Sequence, residues 1–192
     1  MLSKCLRICA QQSRAKRTGI TALSTPSYEV CRKKGAYHGT CVGHVHLKVA
    51  DLERAITFYR DILGFELNQK FGTQAAFLGA GGYHHHIGLN TWESAGATPP
   101  PHGHTGLYHL AFLYPDRPAL AAVLKRIVEA GIPLDGAADH GVSEAIYLRD
   151  PDGNGVEIYR DRPEQDWPRD NQGALKMGNA SLDLNALLAE SP

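Results

Sequence analysis

The chain of 192 residues contains no apolar run approaching the ~20 residues that a membrane-spanning helix needs, so the sequence gives no membrane partner. Cysteine is scarce and confined. The four, at positions 5, 9, 31 and 41, all precede the regularly patterned region and include no CxxC pair, which excludes a disulfide-dense scaffold and suits a reducing compartment. Net charge is also missing, at a formal +0, but the balance hides an asymmetry. Residues 1–40 hold eight Lys/Arg and one acid, Glu29, leaving 12 basic and 19 acidic residues, a net of −7, for the remainder. A folded part of that sign argues against nucleic acid as a partner. With 43% apolar and 21% charged residues, the composition is that of an ordinary globular protein with one good core or two small modules.

The first 40 residues, basic, Ser/Thr-containing and nearly acid-free, have the composition of a disordered leader or a mitochondrial-type transit peptide. No apolar segment of secretory type follows Lys4 and Arg7. The expected location is cytoplasmic, or mitochondrial if the leader is a transit peptide. Either way, residues 1 to about 38 are expected to pack poorly on the domain.

What is present is organised around Tyr147-Leu-Arg-Asp-Pro-Asp-Gly-Asn-Gly-Val-Glu157-Ile-Tyr159. Asp150-Pro-Asp-Gly-Asn-Gly155 writes a tight turn, since Pro presets φ and glycine accepts positive φ. On the strand that follows, Val156 and Ile158 take one face and Glu157 and Tyr159 the other. Taken alone, Glu157 would be an outward residue of a half-exposed strand. Histidines on other segments change that reading.

From residue 42 the chain becomes regular. In Gly43-His-Val-His-Leu-Lys-Val49 the apolar Val45, Leu47 and Val49 alternate with His44, His46 and Lys48, the pattern of a half-buried strand. Asp51 stands at an N-cap position, and Leu52, Ala55, Ile56, Tyr59, Ile62 and Leu63 follow at helical spacing up to Gly64. Three strands are expected at 65–70, 75–78 and 83–90. After a Pro/His/Gly-rich loop over 97–106 the order restarts. A strand at 107–113 carries His109, Asp116 precedes a helix patterned on Leu120, Val123, Leu124, Ile127 and Val128, and strands at 132–134, 145–149 and 156–160 complete the copy. His44 to Asp51 and His109 to Asp116 both span seven residues, and matching positions are offset by 65. This internal repeat predicts an α+β fold of two βαβββ modules, about 42–95 and 106–162, followed by a tail over 163–192. By position, Glu157 answers to the His84-His85-His86 strand of the first copy.

Those residues resemble the vicinal oxygen chelate superfamily of glyoxalases, bleomycin-resistance proteins and extradiol dioxygenases. The likeness is carried by His44-Val-His-Leu-Lys-Val-Ala-Asp-Leu52, Phe58-Tyr-Arg-Asp-Ile-Leu-Gly64, Gly106-Leu-Tyr-His-Leu-Ala-Phe112 and Asp150-Pro-Asp-Gly-Asn-Gly-Val-Glu157. Within the superfamily, Gly82-Tyr-His-His-His-Ile-Gly-Leu-Asn90 and Ser143-Glu-Ala-Ile-Tyr-Leu-Arg149 are most similar to the catechol-2,3-dioxygenase-like group. The resemblance implies paired modules curled into a U-shaped metal cleft, with His44, His109 and Glu157 as metal ligands. Fe(II) is the expected ion, Mn(II) the other candidate, and O₂ the co-substrate. Two imidazoles and one carboxylate leave adjacent positions open for a substrate and O₂. For proton transfer and orientation the resemblance implies Tyr147, His140 and one histidine of the triplet. Repeat matching favours His86, whereas likeness to the paired histidines of extradiol enzymes favours His85. His46 reads as pocket lining, and His102 and His104 as solvated.

Three functions are compatible with this pattern: an extradiol-type ring-cleaving dioxygenase acting on a small catechol-like aromatic, a glyoxalase-like metal-dependent isomerase or lyase, and a metal-free binding or resistance module. The glyoxalase likeness implies a fourth ligand, a carboxylate or amide on the last strand of the first module, where a histidine is expected here. A homodimer is expected, with Trp167, Leu182, Leu184, Leu187 and Leu188 of the tail forming an apolar set outside the core of the modules.

Overall fold

Two aspartates at matching places in the repeat start the two long helices. Asp51 accepts a hydrogen bond from the backbone N of Arg54 at 3.0 Å, and Asp116 accepts one from the N of Ala119 at 2.8 Å. The computed structural model describes residues 41–192, and the leader expectation lies outside them. Helix α1 (Leu52–Thr57) continues into a π-helical turn, Phe58–Ile62, in which both Phe58 and Tyr59 are buried. Helix α2 spans Arg117–Glu129. Among the described residues, no helix is long and apolar enough to cross a membrane.

The first module supplies β1 (Val45–Lys48), β2 (Glu66–Phe71), β3 (Ala75–Gly79) and β4 (Ile87–Asn90), ordered β1-β4-β3-β2. The second supplies β5 (Leu110–Leu113), β6 (Leu134–Asp139), β7 (Ser143–Arg149) and β8 (Gly155–Asp161), ordered β5-β8-β7-β6 with a short β9 (Ala180–Ser181) beyond β6. In both sheets the first strand runs parallel to the last, as a βαβββ unit requires, and among the described residues β1 and β5 are each paired on one side only. The fold is therefore the α+β pair of modules that the repeat predicts.

Register corrects one expectation. Val45 lies opposite Ile87, and Leu110 lies opposite Val156. The offset of 65 between first strands (110 − 45) has thus grown to 69 between last strands (156 − 87). Glu157 answers to Gly88, with no histidine at that place. The expected strand at 83–90 begins only at Ile87, because the carbonyls of Tyr83 and His84 accept hydrogen bonds from the Asn68 side chain, both at 3.0 Å. The histidine triplet therefore lies in the connection before β4. His44 and His109 likewise immediately precede their strands. The strand expected at 132–134 starts at Leu134, since the N–H of Ile132 still bonds to the carbonyl of Ile127 at 3.1 Å and Pro133 has no N–H to give.

One core joins the modules. Leu52, Ile56, Leu63, Leu120, Leu124 and Ile127, the helix residues expected inside, are all buried, and they pack with Leu78, Leu89, Ile146, Leu148 and Ile158 of the sheets. The Asp150–Gly155 turn adds a polar joint. The Tyr59 hydroxyl donates to Asp150 at 2.9 Å, and Asp152 accepts from the backbone N of Ala50 at 3.0 Å and from Arg54 at 2.7 Å. Asp150 also accepts from the backbone N of Asp152 and Asn154. The turn on which the second module's last hairpin is built is thereby fastened to the first module.

The tail departs from expectation. Its β9 pairs with β6, Ala138 opposite Ser181, and helix α3 (Leu184–Leu188) buries Leu187 completely while Leu182, Leu184 and Leu188 pack against the same core. Those leucines are spent on their own chain and are not a free face for a partner.

Candidate metal centre

Alternation along β8 sends Val156 and Ile158 to the core and leaves Glu157 on the opposite face of the sheet. Register places Tyr147 of β7 and Ala111 of β5 on either side of it. His109 arrives from the approach to β5. The backbone of Tyr108 and His109 lies directly over Gly155, where a Cβ would stand 2.1 Å from the Tyr108 carbonyl oxygen and 3.1 Å from the Cα of His109. Only glycine lets the chain come this close. As a result, His109 Nε2 sits 2.9 Å from Glu157 Oε2.

A second line of contacts leaves Glu157 on its other side. Tyr147 Oη is 3.3 Å from Glu157 Oε1 and 2.8 Å from His140 Nε2, while His140 Nδ1 is 2.9 Å from the Gly178 carbonyl. Burial, then the negative charge of Glu157, pushes the Tyr147 phenol above its ordinary value, so the hydroxyl keeps its proton. A cleft of about 560 Å³ opens over this face, with His109, Tyr147, Arg149, Tyr108 and Asn179 among its lining.

The first module gathers a different set. The His44 ring lies 4.5 Å from that of His85, and His84 Nδ1 is 2.6 Å from His85 Nδ1. His86 turns away, its ring 4.7 Å from that of Tyr83 and its Nδ1 3.3 Å from the backbone N of Ala80. Of the two histidines left open by sequence, His85 is the one beside His44. Burial, then the neighbouring imidazoles of His44 and His84, hold His85 below its ordinary value. His46 covers Gly88, where a Cβ would meet its ring at 3.0 Å, and stands 5.6 Å from Trp92. His102 and His104 are exposed.

The structure therefore brings together His109, Glu157, Tyr147 and His140 of the second module, and separately His44 with His85 and His84 of the first. Among the described residues of the single chain, no three His, Cys, Asp or Glu side chains are disposed to hold one metal ion. The pair His109 and Glu157 does fit part of a coordination sphere, because two donors each about 2.0–2.2 Å from one ion at a right angle lie about 3 Å apart. Among the described residues, His109 Nδ1 is buried without a hydrogen-bond partner. Sequence reasoning missed Gly88, Gly155 and the Gly178 carbonyl. The first two were findable, since a glycine inside a strand marks a close approach; a backbone carbonyl from the tail left no signal.

Residues 42–158 match the model of the Glyoxalase/Bleomycin resistance protein/Dioxygenase superfamily, and the chain belongs to that family. It is 42% identical over 156 residues to the "Catechol-2,3-dioxygenase" of Bacillus subtilis (strain 168), covering 81% of this chain and 53% of that protein. It is also 29% identical over 120 residues to the "Biphenyl-2,3-diol 1,2-dioxygenase 3" of Rhodococcus globerulus, covering 62% of this chain and 63% of that one. This chain thus spans between half and two thirds of the length of these two relatives. The crystal structure of a glyoxalase/dioxygenase from Nostoc punctiforme shares the fold, with a TM-score of 0.54 at 22% identity over 76% of this chain and all of that one.

Proposed function

We propose that this protein is an extradiol-type ring-cleaving dioxygenase for a small catechol-like aromatic, using Fe(II) or Mn(II). The observation that carries the reading is the composition of the half-site: one imidazole and one carboxylate in contact, flanked by a phenol and a second imidazole, with glycine at the matching place in the first module. A glyoxalase-like isomerase would be expected to carry a carboxylate or amide at that place, and Gly88 offers neither. The 42% identity to a protein named for this activity supports the same choice.

His109 and Glu157 would hold the metal, with His44 as the third ligand. Because His44 stands apart from that pair within one chain, it is assigned to a second copy, whose β1 would come beside β5. Among the described residues, both strands have an unpaired edge to offer. The metal, when bound, would supply a Lewis acid able to take both the catechol and O₂. The remaining residues orient and handle protons. Tyr147 and His140 lie in series from Glu157 to take up or return the proton of a substrate hydroxyl, and Ala111, opposite Glu157 on β5, adds only a methyl group beside the carboxylate. His85 stands beside His44 as the imidazole that approaches from the other half. The cleft volume lies in the range of small-molecule sites.

Metal content after anaerobic purification, followed by O₂ uptake with a panel of catechols, tests the proposal. Glu157→Gln should lose metal and turnover while unfolding at nearly the wild-type temperature, since the side chain lies on the cleft face outside the core. A Glu157→Gln variant with full metal content and O₂-dependent activity would sink the ligand set.

A further inference from the structure

The last ladder of the second sheet ends against a candidate proton-handling residue. Asp139 of β6 lies opposite Ala180 of β9, and just past this pair the Gly178 N–H donates to the His140 carbonyl at 3.0 Å while His140 Nδ1 contacts the Gly178 carbonyl at 2.9 Å. Two reciprocal bonds thus clasp His140 to the C-terminal strap. The strap is anchored at both ends of the clasp. Upstream, the Lys176 N–H donates to the Pro168 carbonyl at 2.8 Å, and Pro168 packs so closely on Gly141 that a Cβ there would lie 2.8 Å from its Cγ. Downstream, Leu187 is fully buried in the core.

A carbonyl oxygen can only accept, so the contact at Nδ1 requires a proton on that nitrogen. In the neutral ring Nε2 is then the acceptor, because the bond made by one ring nitrogen sets the state of the other. Tyr147 Oη lies 2.8 Å from that Nε2 and 3.3 Å from Glu157 Oε1, and a phenol has one proton to give. The shorter contact takes it.

We infer that the C-terminal strap is a working part of the active site: through the Gly178 carbonyl it fixes His140 as the Nδ1–H tautomer, which draws the Tyr147 proton to His140 and away from Glu157. The inference rests on the dioxygenase reading only for its catalytic consequence. Glu157 keeps both carboxylate oxygens for its metal role, and His140 reaches the cleft through Tyr147, which lines it and serves as relay. Gly178 acts as a positioning residue, since it touches neither substrate nor metal ligand. Asn179, next along the strap, lines the cleft itself.

The test is ¹⁵N NMR of the full-length, histidine-labelled chain in its metal-free form, with His140→Phe to assign the signal. A single Nδ1–H tautomer at His140 is expected; an Nε2–H tautomer, or an average of the two, overturns the inference. Gly178→Pro removes the N–H bond that holds the Gly178 carbonyl against His140 Nδ1, so the carbonyl is released while the anchor at Leu187 stays. It should give mixed tautomers and a fall in kcat of about 10- to 100-fold with KM little changed, the usual scale for groups that orient a site residue. Unchanged tautomer and unchanged kcat in that variant would also overturn it, and the wild-type spectrum decides the matter if the variant does not fold. A wild-type chain with the Nδ1–H tautomer but no O₂ uptake on any catechol refutes the dioxygenase reading and leaves the strap's role standing.

Discussion

Glu144 is a buried carboxylate of the second module held by three arginines. It accepts from Arg117 and Arg160, each at 2.9 Å, and from Arg162 at 3.1 Å, and Arg117 also pairs with Glu190 beyond α3. Burial works against its ionisation, but the hydrogen bond and charge of Arg160, then those of Arg117, outweigh it and hold the carboxyl below its ordinary value. A depressed carboxyl stabilises the fold at pH above its unfolded value, about 4.3, and loses that contribution as pH falls through the folded one. Glu144→Gln is therefore expected to cost about 3–5 kcal/mol at pH 7, with the gap to wild type narrowing below about pH 4. Thermal melts across pH 3–7 check this, and a gap that stayed constant would contradict it. At this scale the sequence is uneven. Alternation puts Glu157 on the face away from the core and the repeat pairs His109 with His44, whereas Glu144, between Ser143 and Ala145 on β7, has nothing local to distinguish it from a surface glutamate.

At the scale of elements, both long helices were legible from their caps and 3.6-residue spacing, which local chemistry sets. The start of β4 was not, because it depends on Asn68, distant in sequence, bonding the carbonyls of Tyr83 and His84. Helix α3 was hidden for another reason. Five residues are too few to show a period, and what makes them helical is the Asp183 cap together with the burial of Leu187. Leu187→Ala should cost about 2–5 kcal/mol, measured by denaturant unfolding. A loss below 0.5 kcal/mol, the size of an ordinary surface change, would mean that α3 does not hold the strap down.

At the scale of the whole molecule, the two modules were legible from the 65-residue repeat, but their relation was not. Repeats define equivalent positions within modules and say nothing of which copy of a chain each module faces. Hence three ligand-type residues could be named while their grouping into His109–Glu157 and His44–His85 could not. The proposed sharing has a direct test. Co-expressed His44→Ala and Glu157→Gln chains should regain O₂ uptake that neither has alone, because one of the two sites in a mixed dimer is then intact. Continued inactivity of the mixture, or a monomer by light scattering at micromolar concentration, would place the centre within a single chain.

The Asp150–Gly155 turn has one more consequence. Its amides at Asp152 and Asn154 are bonded to Asp150, which in turn holds the buried Tyr59 hydroxyl of the other module. Parting of the seam between modules loosens the carboxylate that holds those amides, so the turn should exchange more slowly than one closed by its backbone alone, and its protection factors carry a signal of how often the two halves separate.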